Sequence, residues 1–154
     1  MTIAPIKITQ TIKASPARCF ELFANHVGEW WPKGQTLSKG DYKKLIIEPK
    51  AGGRWYEVDS NDKTIQWGEV RAWEPPHRLV LIWRLNTSFA YDPTVHSEVE
   101  LTFKDAGAGK TTMTLEHRDL EKLGKEPEKF IAMLDAGWKG HVKTVTKFIE
   151  AHKQ

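Results

Sequence analysis

The sequence predicts an α+β fold, a seven-stranded antiparallel sheet curved around one long C-terminal helix, with short helices after the first strand. Three observations predict it. Most of the chain reads as short alternating segments joined by tight turns, and tight turns join antiparallel neighbours. Phe130, Leu134, Trp138, Val142, Val145, Phe148 and Ile149 recur at spacings of three and four, opposite Lys129, Lys139, Lys143, Lys147 and Glu150. That is one wide apolar stripe on a helix of about Glu128 to Ala151. Finally, one helix cannot cover seven flat strands, so the sheet must curve around it, leaving a space where helix and sheet part. Such a space is the usual location for a small-molecule site.

Taken in order, Ile6, Ile8 and Ile12 alternate with Lys7, Thr9, Thr11 and Lys13, the two-residue period of a half-buried strand. Ser15-Pro16 supplies an N-cap and a first-turn proline for a helix of about Pro16 to Asn25, with Cys19, Phe20 and Phe23 as its stripe. The stretch VGEWWPKG follows and is stopped by Pro32. Neighbouring residues point in different directions, so Trp30 and Trp31 are expected to divide their work. One anchors the connection on the core; the other, assigned as Trp31, closes a cavity rim. Strands are expected over Tyr42–Glu48, Arg54–Asp59, Thr64–Trp73, Arg78–Leu85, His96–Lys104 and Thr111–His117. Turns at Pro49 to Gly53, at Ser60 to Asp62, at Pro75-Pro76 and at Gly107 to Gly109 separate four pairs of them. A longer loop, Asn86 to Thr94, separates the remaining pair. In Leu79 to Trp83 both faces are apolar, and parity does not orient the strand.

The length of 154 residues fits one domain, 1–154, with a single core. The 23 basic and 20 acidic residues are interspersed, leaving a net charge of +3 and no basic run of the kind that binds nucleic acid. One cysteine, Cys19, excludes an intrachain disulfide framework and an all-cysteine zinc site. No apolar run approaches the roughly 20 residues of a spanning helix. The N-terminus lacks a signal-peptide core, so the expected compartment is the cytoplasm. Seven tryptophans are the distinctive compositional feature, supplying bulk and stacking faces to a core or pocket.

Several motifs invite chemistry. KDAGAGKT, from Lys104, imitates a phosphate-binding loop, but Lys104 stands where that loop needs glycine and a strand pattern follows where it needs a helix. It reads as a hairpin turn. Asn86-Thr87-Ser88 fits a glycosylation triplet without a secretion signal to give it meaning. His96, Glu98 and Glu100 share a strand face opposite Val99, Leu101 and Phe103, and are read as pointing to solvent rather than as a metal site. Glu57 shares the parity of Trp55; a buried carboxylate there would be a functional candidate, but the strand end is read as exposed. His117 shares parity with Met113 and Leu115, and His141 lies within the helix stripe. Each either faces a ligand or is a core histidine satisfied by the backbone; the second reading weighs more for His141 and equally for His117. Gly137 and Gly140 sit in a helix interior at a cost of about 1 kcal/mol each against alanine. They mark either close approach of another element or a cavity wall kept free of side chains.

Five features resemble a known family. Ile12-Lys13-Ala14-Ser15-Pro16 leads into Cys19-Phe20-Glu21-Leu22-Phe23; Trp30-Trp31 follows; Gly52-Gly53-Arg54-Trp55 turns into a strand. Gly68-Glu69-Val70, with Trp73 through Trp83, is the strongest match, and Gly137-Trp138 lies in the last helix. Their order resembles the helix-grip fold of the START/SRPBCC superfamily, which includes the birch pollen allergen. Within it they most resemble the group named after the ATPase activator of the 90-kDa heat-shock chaperone. The resemblance covers nearly the whole chain and implies the helix-grip fold. The superfamily holds lipid and hormone carriers, polyketide cyclases and chaperone cofactors, so fold alone does not fix function. The eukaryotic activators carry a further N-terminal domain, and its expected absence weighs against a chaperone role.

The expected function is binding of a small apolar, aromatic or lipid-like molecule between sheet and helix. The expected ligand-facing set is Trp31, Trp55, Trp67, Trp83, His117, Met133, Gly137, Trp138 and His141, with no catalytic residue, cofactor or metal assigned. The alternatives are a cyclase- or hydrolase-like enzyme using His117, His141 or Glu57, and an adaptor or chaperone cofactor acting through its surface. No nucleic-acid partner and no membrane insertion are expected; monomer and homodimer stay open.

Overall fold

The computed structural model describes residues 2–32, 35–38 and 42–152. Lys33 and Gly34 of the VGEWWPKG stretch lie outside the described residues. Strand β1 spans Ile6–Ile12. Helix α1, Pro16–Phe20, begins as expected: the Ser15 hydroxyl accepts from Arg18 N at 3.2 Å and Pro16 occupies the first turn. It continues as a wider π-helical turn over Glu21–Asn25, then helix α2, Val27–Trp30. The chain becomes extended at Trp31, directly before Pro32. Strands β2 (Tyr42–Ile47), β3 (Arg54–Asp59), β4 (Thr64–Glu74), β5 (Arg78–Trp83), β6 (Ser97–Gly107) and β7 (Lys110–Arg118) follow. A short 3-10 turn, Leu120–Lys122, leads to helix α3, Glu128–Ala151, at the bounds the apolar stripe predicts.

The seven strands form one sheet in the order β1-β7-β6-β5-β4-β3-β2, every pair antiparallel. β1 and β2 therefore lie at opposite edges, and the segment carrying α1 and α2 must cross from one edge to the other. That crossing places Trp30 and Trp31 over the sheet's inner face. The inner face of β6 is Val99, Leu101 and Phe103, all fully buried. Each contributes roughly 1.5–3 kcal/mol relative to exposure. The ambiguity in β5 resolves the same way: Leu79, Leu81 and Trp83 join the core cluster.

Two bulges bend β4. Against β3 the pairing runs Trp55↔Gly68 then Tyr56↔Gln66, which leaves Trp67 as the extra residue. Against β5 it runs Val70↔Leu81 then Ala72↔Val80, which leaves Arg71 extra. A bulge increases local twist and re-aims its side chain, so these two residues escape the alternation read from sequence.

Two expectations are corrected. Glu98 lies on the outer face, as parity requires, but is only 3% exposed. Long guanidinium side chains from neighbouring strands fold over it. Its carboxylate takes Arg71, Arg118 at 3.0 Å and His96 at 3.1 Å, while Glu100 takes Arg78 and Arg118 at 2.6 Å each. Burial pushes the Glu98 carboxyl up, but the hydrogen bonds from His96, Arg71 and Arg118 outweigh it and hold it at about 2. Glu57, read as exposed, is fully buried and shares the inner side of β3 with Trp55. Its oxygens accept from Leu37 N at 2.6 Å, Ser38 N at 2.8 Å and Trp67 Nε1 at 2.7 Å. Three donors replace the water that a buried carboxylate loses.

Candidate functional site

Where α3 separates from the sheet, a cavity of about 730 Å³ opens beside Trp31. The floor is Trp67 of β4 and Trp83 of β5. One side is α3, through Met133, Leu134, Ala136, Gly137, Trp138 and His141. The other is the connection after α2, through residues 35–38, with Phe89 at the mouth.

The two tryptophans point in different directions. Trp30 turns to the core, its indole N–H donating to Phe23 O at 3.0 Å and its ring 5.0 Å from Phe23. Trp31 walls the cavity. Its indole stands edge-on to Trp67 at 5.4 Å and to Trp138 at 6.1 Å, and tilts over His141 at 4.3 Å. It is buried rather than a rim lid, because its N–H is tied to Gln35 O at 2.7 Å.

Gly137 settles which glycine reading holds. A Cβ placed on Gly137 or Gly140 would meet nothing within 4 Å, so neither allows a close approach. At Gly137 the missing side chain leaves cavity space. Met133, half exposed, stands at the opening.

Two expected ligand-facing residues lie behind the wall instead. Trp55 is packed behind Trp67, ring centroids 5.3 Å apart, and does not line the cavity. His117 is fully buried beneath Trp83 and Trp138. Strand parity identifies the inward face but not the depth at which a side chain is capped by others. His117 instead holds the wall: Trp138 Nε1 donates to its Nδ1 at 3.0 Å, and its Nε2 lies 2.9 Å from Ser97 Oγ, which reaches Trp83 O at 3.3 Å. The indole can only donate, so Nδ1 is the acceptor and Nε2 carries the proton. The chain indole–imidazole–hydroxyl–carbonyl is closed, and both tryptophan walls are attached to it.

Residues 35–38 and Phe89 join the site without a sequence signal strong enough to find them. They sit on irregular segments, where neither period applies. Phe89 has a left-handed backbone, φ 56°, at a loop tip where Asn86 Oδ1 accepts from Ser88 N and Ala90 N. Its ring reaches back to Phe130 at 5.1 Å.

The two buried histidines make the fold sensitive to acid. Burial lowers His117 to about 3 and His141 to about 4, from an ordinary 6.5. Both take up protons near pH 6.5 once unfolded, but far lower in the fold. Their stabilisation is complete above pH 6.5 and drains as pH falls toward 4 and then 3. Through pH 5 the pair contributes a slope of up to about 2.7 kcal/mol per pH unit. Glu98, held near 2, adds loss in the same direction below pH 4.5. Urea midpoints measured from pH 7 to pH 4 should fall steeply; a flat profile would contradict this burial.

Among the described residues, no three His, Cys, Asp or Glu side chains gather to hold a metal ion, and no helix is long and apolar enough to cross a membrane. No curated protein matches the chain. Solved structures do. The anthrahydroquino-gamma-pyrone synthase Txn09, solved as a complex, is 34% identical over 87% of this chain and 88% of its own, with a TM-score of 0.60. The self-sacrificing resistance protein CalC from Micromonospora echinospora is 28% identical, covering 97% and 96%, with a TM-score of 0.69. Protein MLL2253 from Mesorhizobium loti, at 18% identity over 96% and 97%, shares the fold at a TM-score of 0.69. The family described as Activator of Hsp90 ATPase homolog 1-like protein matches residues 13–150, which takes in strands β2 to β7 and nearly all of α3. With the helix-grip architecture and this match together, the chain belongs to the Activator of Hsp90 ATPase homolog 1-like family.

Proposed function

We propose that this protein binds a small, predominantly apolar aromatic molecule in the cavity between the sheet and α3. The observation that carries the reading is the cavity itself. About 730 Å³ lies within the usual range of small-molecule sites, and Trp31, Trp67, Trp83 and Trp138 leave it open instead of filling it. Indole faces and edges favour flat ring systems over flexible chains. The 34% identical neighbour is an anthrahydroquino-gamma-pyrone synthase, and a ligand of several rings agrees with that.

A second reading makes the site catalytic, with His141 as the acid–base group. It is favoured by the Nδ1 of His141, which is buried on a cavity-lining side chain and has no hydrogen-bond partner among the described residues. A neutral imidazole with a free nitrogen could accept a proton from a bound molecule.

The test of binding is occupancy by substitution. Gly137→Leu projects into open space and should fill the cavity without disturbing the helix. Titration of tryptophan fluorescence with fused-ring aromatics should saturate in the wild-type protein and fail in Gly137→Leu, at a melting temperature no lower than that of the wild type. Saturation of both proteins with equal affinity would place binding elsewhere and overturn the reading.

A further inference from the structure

The polar atoms of the cavity narrow the ligand class. Among the described residues, no lining side chain is Lys, Arg, Asp or Glu. The Glu57 carboxylate, which holds the lining residues Leu37, Ser38 and Trp67 from behind, is committed to three N–H donors. Among the described residues, an anionic ligand would leave water and meet no countercharge, and a cationic one would meet aromatic rings without a free carboxylate. The described residues leave three buried side-chain polar atoms without partners: Ser38 Oγ, His141 Nδ1 and Trp55 Nε1. Trp55 lies behind the wall, but Ser38 and His141 both line the cavity, from opposite sides. A hydroxyl and a neutral imidazole nitrogen each seek a neutral hydrogen-bonding group. Orphaned polar atoms are costly when buried, and a ligand that satisfies them recovers that cost.

Resting on the binding reading above, we infer that the site selects an uncharged, hydroxyl-bearing aromatic, held by hydrogen bonds to His141 and Ser38 and enclosed by the tryptophan walls. His141 stays neutral through the physiological range because burial holds its pKa at about 4, so it offers no charge to an acid. The tilted stack of Trp31 on His141, 4.3 Å between centroids, fixes the imidazole plane. The hydrogen-bonding direction is thereby set before ligand arrives, the arrangement that discriminates most strongly against an analogue lacking the hydroxyl.

The experiment compares four probes by calorimetry at pH 7: naphthalene, 2-naphthol, 2-naphthoate and tetramethylammonium. The expected order is 2-naphthol at least tenfold tighter than naphthalene, with 2-naphthoate and tetramethylammonium weaker than both. His141→Phe should bring 2-naphthol down to the affinity of naphthalene while leaving naphthalene itself within twofold. Ser38→Ala should weaken 2-naphthol selectively but less. His141→Phe removes a buried orphan nitrogen, so its melting temperature should not fall, which separates lost recognition from lost folding. Equal binding of naphthalene and 2-naphthol, or tighter binding of the naphthoate or the ammonium ion, would overturn the hydroxyl assignment while leaving aromatic binding standing. Failure of all four probes would overturn both.

Discussion

Replacing Glu57 with alanine is expected to destabilise the protein by about 3 kcal/mol or more, each orphaned donor costing roughly 1–3 kcal/mol. The carboxylate is fully buried and accepts from two consecutive backbone N–H groups, Leu37 and Ser38, and from the Trp67 indole. Alanine leaves all three facing an apolar void. The indole has the least access to water, so its loss weighs most. The variant should also release the cavity wall over residues 35–38 from β3. Glu57→Gln keeps one oxygen but turns an NH₂ toward a donor, and should fall between wild type and alanine. Urea unfolding gives the magnitude, and near-ultraviolet circular dichroism of the indole cluster reports the wall. An alanine variant within 1 kcal/mol of wild type would show that the clamp carries no weight.

Gly68→Ala is the second large effect. A Cβ there would stand 1.8 Å from the Ile82 carbonyl oxygen and 2.9 Å from its carbon. Both are backbone atoms of the neighbouring strand, where Gly68 pairs with Trp83. No side chain can swing away, so β4 and β5 must separate locally, beneath two of the cavity's tryptophans. The expected loss exceeds about 3 kcal/mol, beyond ordinary overpacking. Gly137→Ala gives the contrast. It meets nothing within 4 Å in a helix interior and should gain up to about 1 kcal/mol. Thermal denaturation of the two variants side by side is decisive. A Gly68→Ala protein as stable as wild type would refute the close approach of β4 and β5.

Alternation and stripe spacing located β6, β7 and α3 because those elements bury one face each and keep their period. The same rule lost its footing in β4, where Trp67 and Arg71 are extra residues in the two pairings. A bulge changes parity without changing composition, so nothing in the local sequence announces it. For Glu57 parity points inward, but the end of a strand reads as exposed unless another segment covers it. The partners are backbone N–H groups 19 and 20 residues earlier, on a segment with no period to place it. Trp31 lines the cavity as a buried wall and not as the rim lid that adjacent-residue geometry suggests. Trp55 and His117 face inward, as parity predicts, but lie behind the wall, because pattern does not say which inward side chain is covered by the next.

The Arg–Glu assembly on the outer face bears on how solution conditions reach the cavity. Exposed ion pairs such as Lys43–Asp62 and Lys129–Glu126 lie in water, where added salt weakens them as the screening length shrinks below its physiological value of about 8 Å. Glu98 is sheltered by the guanidinium groups that bind it, and it ties β4 to β6 and β7 across the intervening β5. Added salt should therefore dissolve the peripheral pairs and leave this tie in place. The expected consequence is that the central strands, and with them the room beneath α3, respond little to salt and yield to acid only as Glu98 nears its pKa of about 2.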